Sequence, residues 1–298
     1  MPDPDLAVAV AVSVVVPVRN GASTIEEQLG ALMRQRVAFA WEVIVSDNGS
    51  TDGTGAIVER WAERHPRIRL VDAGEQAGIS VARNAGIRAS HAPLILLCDA
   101  DDRVGDGWLD AMTQALRGGA DVVGGRIDEV TLNDERVRTL RPPVDHAQLA
   151  VSAGFLPRPV SCNAGLRRDV WTALGGFDEA WIRGGTETEF FWRAQLAGYR
   201  ASFVADAVVH YRFPRSARGI ARQTATFGRA QARLYRTFRG NGMPRAAASV
   251  ALKAWVRLAM SAPLVPWSDL ARQGAWLRGV ALRWGRLRGS IRYRVLYL

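Results

Sequence analysis

Asp99-Ala100-Asp101-Asp102 follows the apolar run Leu94 to Cys98. Acids at a strand end project into the crevice of an α/β sheet, and two acids one residue apart on extended backbone point the same way. Asp99 and Asp101 can therefore share a hard divalent ion, which would bridge phosphate oxygens and offset charge on a departing diphosphate. Taken alone, the triplet reads equally well as a solvated acidic turn. A second cluster runs from Val43 to Thr54. There Asp47 ends a strand and its carboxylate can accept an N–H from a base edge such as an imide, while Gly49 permits a tight turn and Ser50 to Thr54 open a helix. Turn and cap geometry accounts for Gly49, Ser50 and Asp52 without a ligand, and less well for Asp47. The third cluster, Ala77 to Gly86, puts Arg83 and Asn84 one turn into a helix facing the same crevice. A guanidinium there can contact phosphate or hold a carboxylate, and a structural ion pair is the rival reading of Arg83.

Such residues need strands to carry them. Ser13 to Val18, Glu42 to Ser46 and Pro93 to Cys98 are short, nearly continuous apolar runs, as expected of strands buried on both faces. Between them, Ser23 or Thr24 is expected to cap a helix bearing Leu29, Leu32 and Met33. Thr51 or Asp52 is expected to cap one bearing Ile57, Val58 and Trp61, and Ser80 to Ala89 forms a third. The βαβαβ order predicts an α/β fold around a mainly parallel sheet, with polar clusters at the carboxyl ends of its strands. Further on, Asp121 to Gly125 reads as a strand edge and Ser161 to Ala164 as a loop. Arg168 to Leu174 reads as a short helix ended by Gly175 and Gly176, Thr188 to Ala197 as a helix, and Ala201 to His210 as a strand. There is no internal repeat.

With 298 residues, 48% of them hydrophobic, the chain can build a large core and is not of disordered composition. Its net charge of +10 is unevenly placed: positions 214–298 hold sixteen Arg and Lys253 against Asp269 alone, so the remainder is acidic overall. Cys98 and Cys162 form neither a disulfide framework nor a CxxC pair, which fits a reducing, cytoplasmic setting. Asp3 and Asp5 stand where a signal peptide needs positive charge. The apolar stretch Ala246 to Pro266 is interrupted by Lys253, Arg257 and Pro263, which makes it a poor transmembrane span.

In order and spacing, Ser13 to Asn20, Val43 to Thr54, Gly78 to Gly86 and Cys98 to Asp102 resemble the nucleotide-binding half of family 2 glycosyltransferases. The likeness extends through Asn163-Ala164-Gly165, Gly175 to Glu179 and His210. It implies a GT-A nucleotide-diphospho-sugar fold over 1–212 (a nucleotide-binding half, 10–105, and an acceptor half, 106–212), inversion at the anomeric carbon, and Mg or Mn. Pro17, Arg19, Asn20, Asp47, Asn48, Arg83, Asp99 and Ala100 would then bind the nucleotide-sugar, Asp47 at the base, Arg83 at the diphosphate and Asp99 at the ribose. Asp101 would hold the metal and His210, at a position that sometimes carries a metal-binding His, would complete its shell. The family's Glu-Asp pair at a helix start, whose Asp takes the acceptor proton, falls on Thr186 and Glu187, so the base is Glu187, with Glu189 as the fallback. An acid stabilising a helix N-terminus is the plainer account of Glu187. Trp171, Trp181 and Trp192 lie in the acceptor half, where core packing is their ordinary use and sugar stacking the alternative.

Positions 213–298 read as a basic amphipathic helical appendage, with Arg218, Arg222, Arg229, Arg233 and Arg236 on one face and Phe227, Leu234 and Phe238 on another. Trp255, Trp267, Trp276 and Trp284 interleave with further arginines, which points to an anionic membrane surface; no nucleic-acid motif accompanies the charge. Packing on the catalytic domain or pairing into a homodimer is the alternative for this region. The expected activity is transfer of a sugar, from a UDP-sugar by preference, to a hydroxyl of a lipid-linked or cell-envelope glycan. Rivals are a nucleotidyltransferase of similar fold, for which Val18 to Ala22 supplies only a fragment of the phosphate loop, and a catalytically silent nucleotide-sugar-binding protein.

Overall fold

The computed structural model describes residues 10–245 and 247–298; the expectation drawn from Asp3 and Asp5 lies outside them. The first half alternates β1 (Val12–Val18), α1 (Ile25–Met33), β2 (Trp41–Asp47), α2 (Thr54–Arg64), β3 (Ile68–Asp72), α3 (Ile79–Ala89) and β4 (Leu94–Leu97). The predicted βαβαβ order thus lacked β3, a half-exposed strand too short and too polar to read as a buried apolar run. There follow β5 (Arg103–Val104), α4 (Trp108–Arg117), β6 (Val122–Asp128), α5 (Glu135–Leu140), the hairpin β7 (Ala150–Val151) and β8 (Pro157–Arg158), β9 (Ala164–Arg167), α6 (Arg168–Ala173), α7 (Thr186–Leu196) and β10 (Ala201–His210). The expected loop at Ser161 to Ala164 instead leads into β9, which runs antiparallel between β4 and β6.

Eight strands form one sheet in the order β3-β2-β1-β4-β9-β6-β10-β5, parallel from β3 through β4 and again between β6 and β10. Side-chain alternation splits the core across it. Val14, Val16, Val43, Val45 and Leu96 enter one cluster, and Val15, Ile44, Ile95 and Leu97 the other. This two-sided burial explains why these strands read as unbroken apolar runs. The GT-A arrangement, a mainly parallel central sheet flanked by helices with further helices after it, is the fold observed.

Two capping expectations are corrected. Thr24 occupies the α1 cap position but its side chain makes no cap hydrogen bond. Helix α2 starts at Thr54 with Gly53 in the cap position; Asp52, one residue earlier, accepts from the Thr54 N–H and hydroxyl through one oxygen and from the Ala22 N–H of the neighbouring loop through the other.

After Arg212 come α8 (Ala217–Phe238), α9 (Ala248–Ser261), a 3₁₀ segment (Ala262–Trp267) and α10 (Leu270–Tyr293). Helices α8 and α10 touch backbone to backbone through Gly228, Gly285 and Gly289. Leu234, Phe238 and Tyr297 share a core with Trp181 and Trp192. Phe227, expected beside Leu234 and Phe238, is 43% exposed because it lies beyond that contact. Arg233 is drawn off the basic face onto the Trp181 ring, 4.0 Å from its centroid.

Candidate active site

Strand order reverses between β1 and β4: β2 and β3 lie on one side of β1, and β4 lies on the other. At such a switch point the loops after adjacent strands diverge and leave a crevice. A cavity of about 550 Å³ opens there, walled by Pro17 at the end of β1, Arg19 and Asn20 just after it, Asp99, Ala100 and Asp101 after β4, Arg83 of α3, and Arg212 and Arg215 after β10. A smaller cavity of about 220 Å³ shares Pro17, Arg19 and Ile79 with it and adds Asn48, Ala77 and Gly78.

The loops are stitched before any ligand arrives. Asn20, at φ +57°, donates its N–H to Ser50 Oγ and accepts from Thr51 N–H at 2.8 Å, joining the loops after β1 and β2. Asn48 donates to the carbonyls of Ala73 and Gln76 and accepts from Gly78 N–H, fastening the chain that leads into α3. Asp47 takes part in the turn after β2 through one of its oxygens. Its Oδ1 accepts from Ser50 N–H and Oγ–H at 2.9 and 2.6 Å, bracing the turn, while Oδ2 takes no part in that contact; Asp47 is not among the residues walling either cavity.

Asp99 to Asp102 form a turn rather than an extended segment, the Asp102 N–H donating to the Asp99 carbonyl. The alternation argument for Asp99 and Asp101 therefore does not hold, although both wall the larger cavity. Partial withdrawal from water pushes the Asp99 carboxyl up to about 6; Arg83 pulls it down, and Asp101 and Glu187 add to the rise. Asp102 turns inward, accepts from Arg212 N–H at 2.7 Å, and is driven well above the usual carboxylate range by burial and by Asp101 and Asp99.

Arg83 is 3% exposed. It donates to Thr186 Oγ at 2.9 Å and Ser161 Oγ at 2.6 Å, and lies 3.6 Å from Asp99 Oδ1. Its two hydroxyl partners are neutral, so its charge is left to the acids and to whatever enters the cavity. Glu187 follows directly: Gly185 at φ +75° starts α7, and Thr186 donates to Glu187 Oε2 at 3.1 Å. Glu187 Oε1 is 3.5 Å from Arg158 on β8. Burial pushes the Glu187 carboxyl up, but Arg158 and Arg83 outweigh that and hold it below the ordinary value. Glu187 lines neither cavity; it reaches the larger one through Thr186 and Arg83, and its charge adds to the rise at Asp99.

Glu189 and His210 have protein partners of their own. Glu189 is locked to Arg193 at 2.7 and 3.1 Å one helical turn away, while Arg193 also holds the Leu174 and Gly176 carbonyls; this is a structural pair. His210 faces β6, its Nδ1 2.6 Å from Asp128 Oδ2; the contact engages Nδ1 and not Nε2, and His210 is not among the residues walling the Asp101 cavity. Asp128 is held down at about 2, where hydrogen bonds from Thr131 and His210 overcome burial. The tryptophans pack: Trp192 is fully buried edge-on to Phe155 and Phe238, Trp181 is 3% exposed, and Trp171 donates to Asn84.

Sequence reasoning missed Arg212 and Arg158. Arg212 donates to the Asp101 carbonyl and to Glu27 while its N–H holds Asp102. Its place just past the end of β10 was a usable signal; Arg158, in a two-residue strand, gave none.

The donor set suits a divalent ion. Asp99 Oδ1 and Asp102 Oδ2 are buried acceptors without a hydrogen-bond partner. Asp99, Asp102 and Cys162 each offer an atom within 4.8 Å of the others, the sole such group of three among the described residues. Carboxylate oxygens match Mg or Mn, whereas the Cys162 thiol is soft and is kept protonated by burial and by the neighbouring acids.

Residues 13–174 match the family model described as glycosyl transferase family 2. The chain belongs to that family. It is 30% identical over 199 residues to the glycosyltransferase AglE of Haloferax volcanii, covering 66% of this chain and 65% of that one. It is 36% identical over 114 residues to the uncharacterized glycosyltransferase EpsJ of Bacillus subtilis, covering 38% and 33%. The chain thus spans just under two thirds of the first relative and a third of the second. In fold it is similar to the mannosyltransferase PcManGT of Pyrobaculum calidifontis, solved with GDP-Man and Mn2+, at TM-score 0.60 and 23% identity over 96% of this chain and 89% of that one. TarS 1-349 of S. aureus with UDP-GlcNAc gives TM-score 0.55 at 18% identity over 97% and 93%.

Proposed function

We propose that this chain is an inverting glycosyltransferase that moves a sugar from a nucleoside-diphosphate sugar to an acceptor hydroxyl of a lipid-linked or cell-envelope glycan at the cytoplasmic face of a membrane. The observation that carries the reading is the convergence of Arg83, Asp99 and Asp101 on the switch-point cavity, with Glu187 tied to Arg83 through Thr186.

In this reading the donor diphosphate lies against Arg83 and Arg19, and the nucleoside extends toward the cavity walled by Asn48 and Ala77. Asp99 and Asp102 would hold Mg or Mn, with Asp101 on the cavity wall beside them, and the ion would supply positive charge against the diphosphate. Glu187, ionised at neutral pH, accepts the acceptor's hydroxyl proton as that oxygen bonds the anomeric carbon. The bond from this carbon to the phosphate oxygen breaks, its electron pair leaving with the nucleoside diphosphate. One displacement on the opposite face inverts the centre without a protein nucleophile. Asp47 gives only Oδ1 to its turn, and both UDP- and GDP-sugars belong in the first screen.

The test is turnover of a nucleotide-sugar panel with Mn or Mg by the full chain and by Glu187→Gln. Loss of roughly 10²–10⁴-fold in turnover with donor affinity kept is expected of a missing general base. Unchanged turnover removes Glu187 from the mechanism. Donor binding without any turnover by the parent chain establishes the silent binding protein instead.

A further inference from the structure

Helix α9 and the 3₁₀ segment after it carry an apolar row that touches nothing. Leu252 is 65% exposed, Met260 75%, Leu264 69% and Trp267 90%, and Val256 lies between them at 48%. Spacing of four residues from 252 to 264 puts them on one side of the helix. Only 6% of the window within Ala248–Trp267 is buried. The opposite side is anchored: Ala251 is buried, Trp276 of α10 donates to the Leu258 carbonyl at 2.9 Å, and Gly279 brings α10 up to the Leu258 side chain. The outer row is therefore held facing outward by a rigid attachment, and a contiguous apolar surface of that kind marks a contact.

Charge decides what covers it. Lys253 and Arg257 share a shallow groove with Leu252, Val256 and Met260, and neither has an acidic partner among the described residues. The one acid beyond position 213, Asp269, is already beside Arg272. A second copy across a two-fold axis would press this patch against itself, setting Lys253 and Arg257 against their own like. An anionic lipid surface satisfies both components: apolar side chains enter the acyl boundary while Lys and Arg lay their stems along it and keep their charges among headgroups. Ala248–Trp267 is long and apolar enough to cross a membrane by length and composition, but Lys253 and Arg257 stand in mid-helix and Pro263 and Pro266 interrupt the run, which favours the in-plane placement.

We propose that α9 and Ala262–Trp267 lie in the plane of an anionic membrane as an in-plane anchor, and that this face, rather than the arginine face of α8, is the docking element. The inference deepens the membrane part of the proposed function and does not depend on the chemistry at Glu187.

The test is sedimentation of the full chain with phosphatidylglycerol-containing vesicles against phosphatidylcholine vesicles. Parallel samples carry Leu252→Glu with Met260→Glu, and separately Lys253→Glu with Arg257→Glu; all four side chains are exposed, and thermal melting verifies folding. Preferential binding to anionic vesicles, a loss of about tenfold or more in either double variant, and a blue shift of Trp267 fluorescence absent in Trp267→Phe are expected. Undiminished binding by both variants overturns the assignment. So does a dimer that the Glu variants dissociate, or retention in the bilayer after alkaline carbonate extraction, which marks a span. Donor turnover measured without vesicles separates the two claims: a chain that turns over donor and ignores vesicles sinks only the anchor, and one that binds vesicles without turnover sinks only the enzyme.

Discussion

Arg83 donates to Thr186 across 103 positions of sequence, joining α3 to the first residue of α7 at 2.9 Å. The same hydroxyl donates to Glu187, so one small side chain orients both the buried cation and the proposed base. Thr186→Val keeps the shape and removes the hydroxyl. Arg83, whose Nε already lacks a partner, then loses a second buried hydrogen bond, at a cost of about 1–3 kcal/mol. A lowered melting temperature with reduced turnover, both restored in Thr186→Ser, is expected; an unchanged melting curve refutes the coupling.

Arg158 is expected to set the acid limb of the reaction. It and Arg83 hold Glu187 below the ordinary carboxylate value, and a base acts only when ionised. In Arg158→Ala burial is opposed by Arg83 and the hydrogen bonds to Glu187, without the largest of the lowering contributions, so the limb of the kcat/KM profile moves to higher pH. The stability linked to this group has the sign of a depressed acid: present above the unfolded value and lost as pH falls through the folded one. Arg158→Ala should therefore cost more stability at pH 7 than at pH 3. A pH profile superimposable on the parent's removes Arg158 from this role.

Metal binding should release a proton. Without an ion, Asp99 titrates at about 6, so a cation must displace its proton at lower pH, and apparent affinity should fall up to about tenfold per unit below that value. Because the folded chain holds this proton more tightly than the unfolded chain does, the metal-free protein loses the associated stability as pH climbs from about 4 to about 6. Calorimetry in two buffers of different ionisation enthalpy reads the proton release, and a chelator should abolish donor turnover. Affinity flat across this range contradicts the placement of the ion at Asp99.

The docking of α8 on α10 rests on absent side chains. A Cβ at Gly285 would stand 2.1 Å from the Ala225 carbonyl oxygen, whereas one at Gly240 meets nothing within 4 Å. Gly285→Ala should destabilise by about 1–3 kcal/mol, lowering the melting temperature by several degrees, while Gly240→Ala should leave it within about a degree. Equal melting of the two variants discounts the close packing.

The core strands were legible because burial on both faces forces unbroken apolar runs, and the site loops because polar residues gather where those runs end. β3 and β9 were not: the first is half-exposed, and the second is an antiparallel insertion whose partners lie far away in sequence. The same limit applies within the site. Asp99, Asp101, Arg83 and Glu187 could be named from type and order, whereas the contacts of Asp47, His210 and Glu189 with Ser50, Asp128 and Arg193 are made only in the folded chain.

Sequence by itself determined the layered α/β architecture, the family, and the acids that follow the strands, because period and position in the chain encode them. Tertiary structure alone decided which of those acids are free to meet a ligand. A carboxylate has few lone pairs, and a neighbour brought from a hundred residues away can occupy them before any substrate arrives. It also decided that α9 is left with an uncovered apolar side, since the same residue pattern would be core wherever another element packed against it.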